Sequence, residues 1–88
     1  MLRKFRIYGQ VQGVGFRFFT RRKAIQLNLT GSVRNLADGS VEVVAQGEEA
    51  QINLLRNWLA QGSKSAVVKR VVSMDCPERD FFDFSILP

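Results

Sequence analysis

The residues able to do chemistry in this 88-residue chain are few. Histidine is absent and cysteine occurs once, at Cys76. Neither a Cys/His zinc site, a Ser-His or Cys-His catalytic pair, nor an internal disulfide can be assembled from that set. What remains is anion chemistry. The run Gln10-Val11-Gln12-Gly13-Val14-Gly15-Phe16-Arg17 places two glycines directly ahead of an arginine. Glycine adopts positive φ without strain, so successive backbone amides can turn toward one point. Arginine adds a planar fork of donors that suits phosphate oxygens. No acidic residue stands within twenty positions of Arg17 to neutralise it. On spacing alone, a tight turn with sterically required glycines and a surface arginine fits equally well. Two familiar phosphate motifs do not fit: a dinucleotide fingerprint needs a small residue where Phe18 stands, and a P-loop must close on Gly-Lys-Ser/Thr.

The other polar residues are less specific. Asn35 offers an acceptor and donors but no base near neutral pH, and before a turn an asparagine commonly bonds its own backbone. Glu48 and Glu49 read as helix-start residues and Asp38 as a turn residue. Asp75, Glu78, Asp80 and Asp83 show no paired-acid spacing, so none is assigned to catalysis. The cluster Arg21-Arg22-Lys23 reads as a solvated helix face. Cys76 reads as a small, partly buried residue in a reducing compartment.

These residues need elements to place them. Lys4-Phe5-Arg6-Ile7-Tyr8 alternates as a half-buried strand does, and Gly9 to Gly15 reads as a loop. Phe16 to Asn28 lacks Gly and Pro, which predicts a helix with Phe16, Phe19, Ala24 and Leu27 on one face. The loop thus lies between a strand and a helix N-terminus, where free amides and the helix dipole favour anions. Ser32 to Leu36 and Ser40 to Ala45 flank Asp38-Gly39, a hairpin signal that puts Asn35 at a strand end. Gly47-Glu48-Glu49 starts a second helix, with Ile52, Leu55 and Leu59 as its apolar stripe, Trp58 beside them and Gly62 as its stop. Val67 to Met74 is rich in β-branched residues and predicts a strand. Phe82, Phe84 and Ile86 alternate with Asp83 and Ser85, predicting a short last strand with an inward aromatic face. The order β-α-β-β-α-β plus an extra strand predicts an α+β, ferredoxin-like sandwich: an antiparallel sheet with two helices on one face. That plan serves many unrelated functions.

At 10.0 kDa there is room for a single domain over residues 1–88, and 45% hydrophobic with 24% charged residues suits a globular one. A net charge of +5 invites a nucleic-acid reading. The charge is lopsided: Met1 to Ala37 carries eight basic residues and no acidic one, whereas Asp38 to Pro88 carries five basic and eight acidic. An anionic partner is therefore expected to meet the first part. No signal-like or membrane-length apolar run is present, which makes a cytoplasmic location the expectation.

The run GQVQGVGFR at Gly9 to Arg17, with VRNLADGSVEVVAQG at Val33 to Gly47, resembles the acylphosphatase family. Ala24 and Leu27 in the first helix, Asn57-Trp58-Leu59 in the second and the closing FDFSI extend the resemblance over nearly the whole chain. Gln10 departs from it, since a basic residue is common there. The resemblance implies hydrolysis of the carboxyl-phosphate anhydride of acyl phosphates to a carboxylate and inorganic phosphate, without metal or cofactor. It implies that Arg17 and the amides of Gln12, Gly13, Val14, Gly15, Phe16 and Arg17 hold the phosphate, that Asn35 orients the attacking water, and that the Thr20 hydroxyl supports the site. The expected partners are small acyl phosphates and inorganic phosphate, with neither nucleic acid nor membrane, for a monomer.

Two rival readings differ in class. An RNA-recognition module shares the element order but stacks bases on strand aromatics, and Ser40 to Ala45 carries none. A relative of the acylphosphatase-like domain of carbamoyl-transferring hydrogenase-maturation proteins would keep the loop and serve carbamoyl phosphate. The absence of zinc-finger and carbamoyl-transfer segments favours a free-standing enzyme.

Overall fold

Alternation and helical periodicity place the elements, and a computed structural model describes residues 1–77 and 79–88. Glu78, one of the unassigned carboxylates, lies outside the described residues. The chain runs β1 (Leu2–Gln10), α1 (Phe16–Gln26), β2 (Thr30–Asn35), β3 (Val41–Gln46), α2 (Glu49–Gln61), β4 (Val67–Met74) and β5 (Phe84–Ile86). The sheet order is β4-β1-β3-β2-β5. The four longer strands are antiparallel, as the ferredoxin-like plan requires. The short β5 joins β2 in parallel, pairing Gly31 with Phe84 and Val33 with Ile86, so the sheet as a whole is mixed.

Odd-numbered positions of the central strands supply the core. Phe5, Ile7, Val33, Val41, Val43 and Ala45 are buried against Phe16 and Ala24 of α1 and Ile52, Leu55 and Leu59 of α2. The helices meet where the Phe16 and Trp58 rings stack at 5.8 Å. The predicted stripe of α2 is thus its buried face, and Gly62, at φ 80°, ends the helix. Truncating a fully buried side chain here, Leu55→Ala for instance, costs about 2–5 kcal/mol.

Three expectations need correction. Gly9 and Gln10 belong to β1, where they pair with Val68 and Val67, so the loop shortens to residues 11–15. Helix α1 ends at Gln26, and Asn28 takes φ 59°, a left-handed conformation that asparagine tolerates and that turns the chain. Its buried line is Phe16, Thr20 and Ala24, spaced i, i+4, i+8, while Phe19 is exposed. Phe82 also lies outside the core. It precedes the three-residue β5 and is exposed, whereas Phe84 is buried under α1 and Ile86 is partly exposed.

Because β4 and β5 occupy opposite edges, their connection must cross the sheet, and it does so over the helix-free face. Gln46 Nε2 donates to Arg79 O at 3.3 Å, and the Phe81 amide donates to Gln46 Oε1 at 3.2 Å. Arg34, Glu42, Cys76, Pro77 and Arg79 line one cavity beneath it. Glu42 is buried there and paired with Arg34 at 3.0 Å.

Candidate active site

The sequence places a glycine-rich connection between β1 and α1. Gly13 and Gly15 take φ 74° and 76°, in the left-handed region where a side chain would be strained. Gly15 caps α1 without a side-chain hydrogen bond, and the first helical turn contains no acid. Among the described residues, no amide from Gln12 to Phe18 donates to a backbone carbonyl. The first to do so is that of Phe19, to Gly15 O at 3.1 Å. A run of unpaired donors at a helix N-terminus attracts an anion.

A cleft of about 190 Å³ opens over this loop, lined by Val11, Gly13, Gly15, Phe16, Arg17, Phe18, Asn35 and Ile86. It brings together Gly13, Gly15, Phe16, Arg17 and Asn35 from the residues singled out above. Arg17 is half-buried and pairs with no carboxylate among the described residues; its Nη1 lies 3.4 Å from Leu87 O. Asn35 is the last residue of β2, and its Oδ1 is buried without a hydrogen-bond partner among the described residues. An acceptor left unmatched in this way costs stability unless something donates to it.

The remaining predicted residues stand apart from the cleft lining. Val14 packs partly buried against the core. Thr20 is fully buried on the inner face of α1, with its hydroxyl unpartnered among the described residues. The Gln12 side chain turns away to the hairpin, where its Nε2 donates to Leu36 O at 2.8 Å and Ser40 O at 2.9 Å. It thereby ties the glycine loop to the turn that follows Asn35, a contact between residues 24 and 28 positions apart that no local pattern announces.

The hairpin turn is closed by its own polar groups. The Ser40 amide donates to Asp38 Oδ1 at 2.9 Å, and the Ser40 hydroxyl donates to the same oxygen. These two bonds, the hydroxyl's first, hold the Asp38 carboxyl below the ordinary carboxylate range. On the other side of the cleft, Arg21 Nε donates to Phe84 O at 2.8 Å. Arg21 therefore clamps β5 to α1 and does not merely project from a solvated face. A helix-surface phenylalanine and a terminal isoleucine carry no local signal of a cleft, so sequence reasoning misses Phe18 and Ile86 as lining residues.

Fold and cleft together define a ferredoxin-like α+β protein with an arginine-backed glycine loop at the head of its first helix. The Acylphosphatase family model matches residues 3–86. An acylphosphatase of Pasteurella multocida is 50% identical over 88 residues, 98% of each chain. The solved structure of an acylphosphatase from Coxiella burnetii superposes with a TM-score of 0.93 at 41% identity, covering 98% of this chain and 90% of that one. The structure of T. kodakarensis HypF matches all of this chain with a TM-score of 0.88 at 31% identity, but only 12% of its own length is covered. The chain belongs to the acylphosphatase family, hydrolases of acyl phosphates.

Proposed function

We propose that the chain hydrolyses acyl phosphates by attack of water on phosphorus, with the amides of residues 12–17 and Arg17 holding the phosphate and Asn35 orienting the water. The observation that carries this is the gathering around one cleft of Arg17, the positive-φ glycines and the Asn35 Oδ1, which has no partner among the described residues. Phosphoryl transfer asks mainly for positioning and for charge stabilisation on the equatorial oxygens. Preorganised amides and a guanidinium supply that without reorganising during the reaction.

Asn35 Oδ1 accepts a hydrogen bond from the water and aligns its oxygen with the phosphorus. As the new P–O bond forms, the bond to the carboxylate oxygen breaks and the carboxylate leaves with its electron pair. The water's proton passes to a phosphate oxygen, giving carboxylate and inorganic phosphate. An acyl phosphate carries a good leaving group, so a water positioned by an amide suffices and no side-chain base is required.

The test is hydrolysis of benzoyl phosphate and acetyl phosphate by the purified protein in the presence of a chelator. Turnover that resists the chelator is expected, and its absence would overturn the proposal. In ¹⁸O-water the label should enter the phosphate; label in the carboxylate would move the attack to the carbonyl carbon. Carbamoyl phosphate as the preferred substrate would instead favour the maturation-protein reading.

A further inference from the structure

Beyond the phosphate-binding elements, the same cleft has walls that phosphate chemistry does not require. Phe18 is 57% exposed and Ile86 42% exposed, and both line the cleft that holds Arg17 and Asn35. They come from α1 and β5, elements at distant points of the chain, and flank a single opening. A single exposed apolar side chain is ordinary. Two that converge beside an anion-binding loop call for an apolar group between them.

Both walls are held in place. The Phe18 ring meets Phe19 edge-on, with centroids 5.2 Å apart and planes at 80°. A Cβ built on Gly15 would lie 3.5 Å from the Phe19 ring, so these aromatics adjoin the loop itself. Ile86 is the last residue of β5. The following Leu87 donates its amide to Val33 O at 2.9 Å and receives Arg17 Nη1 at 3.4 Å. Arg17 thus lies beside both the glycine loop and the end of β5. A phosphate on Arg17 would place its acyl substituent within reach of Phe18 and Ile86.

We propose that Phe18 and Ile86 form the subsite for the acyl group and select apolar acyl phosphates, aromatic ones foremost, over acetyl phosphate. This rests on the acyl phosphate reading of the same cleft. An aromatic acyl group gains edge-to-face contact with Phe18 and apolar burial against Ile86, whereas an acetyl group is too small to reach both.

The experiment compares kcat/KM for benzoyl phosphate and acetyl phosphate in the wild type, Phe18→Ala and Ile86→Ser. Binding of phenylphosphonate and methylphosphonate is measured in parallel. Each substitution is expected to lower kcat/KM about tenfold for benzoyl phosphate and less than about threefold for acetyl phosphate, in the range that apolar contacts discriminate. Phenylphosphonate should lose its advantage over methylphosphonate in both variants, while Phe18→Leu retains part of it. Equal losses on both substrates, or an unaltered phosphonate preference, would overturn the subsite. Substitution on two separate elements guards against one variant failing to fold. If the wild type hydrolyses neither substrate, the activity reading falls, and the phosphonate affinities still decide whether Phe18 and Ile86 bind an apolar group.

Discussion

In the proposed mechanism, Asn35 and Arg17 divide the work by what their side chains can offer. A guanidinium provides charge and several donors to the phosphate, so Arg17→Ala should lower kcat by about 10²-fold or more and weaken competitive inhibition by inorganic phosphate. An uncharged amide aimed at water provides direction only. Asn35→Ala should therefore lower kcat comparably and leave phosphate inhibition nearly intact; equal loss of phosphate binding in both variants would defeat this division. Asp38 makes a prediction of the other kind. Its carboxyl is held below the ordinary value by Ser40, so the ionised form is favoured in the folded state. The stabilisation this contributes is present above the unfolded-state value of about 3.9 and is lost as pH falls through the lower folded-state value. In urea unfolding, the wild type should exceed Asp38→Asn in stability at pH 7, and the gap should close as the pH is taken down through the lowered folded-state value. A gap independent of pH would place the stabilisation elsewhere.

Between elements, the site depends on two ties that cross long stretches of sequence. Gln12 binds the loop after β1 to the β2–β3 turn, and Arg21 binds α1 to β5. The first sets the loop and Asn35 in register; the second holds the strand that carries Ile86. Because β5 is only three residues long and lies at the sheet edge, few ladder bonds secure it. One hydrogen bond contributes about 1 kcal/mol net, so Arg21→Ala should speed exchange of the Leu87 amide about fivefold while amides in β3 keep their protection. Unchanged exchange at Leu87 would show that the sheet pairing alone holds the tail. The density of glycines from Gly9 to Gly15 and the Asp38-Gly39 turn made the loop and hairpin legible from the sequence, since both are short-range choices of backbone conformation. Neither tie was legible, because a side chain's partner 28 or 63 positions away leaves no local pattern.

For the molecule as a whole, the basic excess sits where the site is. The first 37 residues carry eight basic side chains and no acid, and two of those cations, Arg3 and Arg34, are drawn into pairs with Asp75 and Glu42. On the proposed reading, the net positive charge of this part of the chain would favour approach of a small dianion to Arg17. Screening shortens this reach from roughly 30 Å at 0.01 M salt to roughly 3 Å at 1 M. kcat/KM should consequently fall about threefold or more with added sodium chloride, and a flat salt profile would confine the electrostatics to Arg17. The order of elements, the glycine loop ahead of Arg17, the core stripe of α2 and the position of Asn35 before a turn were readable from local pattern. Each follows from forces acting over a few residues: steric limits on φ, side-chain periodicity and turn chemistry. That β5 runs parallel to β2, that Phe82 stays outside while Phe84 enters the core, and that Ile86 and Phe18 line one cleft came only with the folded arrangement. Those outcomes depend on where a distant sheet edge and helix face come to rest, and burial is settled by neighbours in space, not by neighbours in sequence.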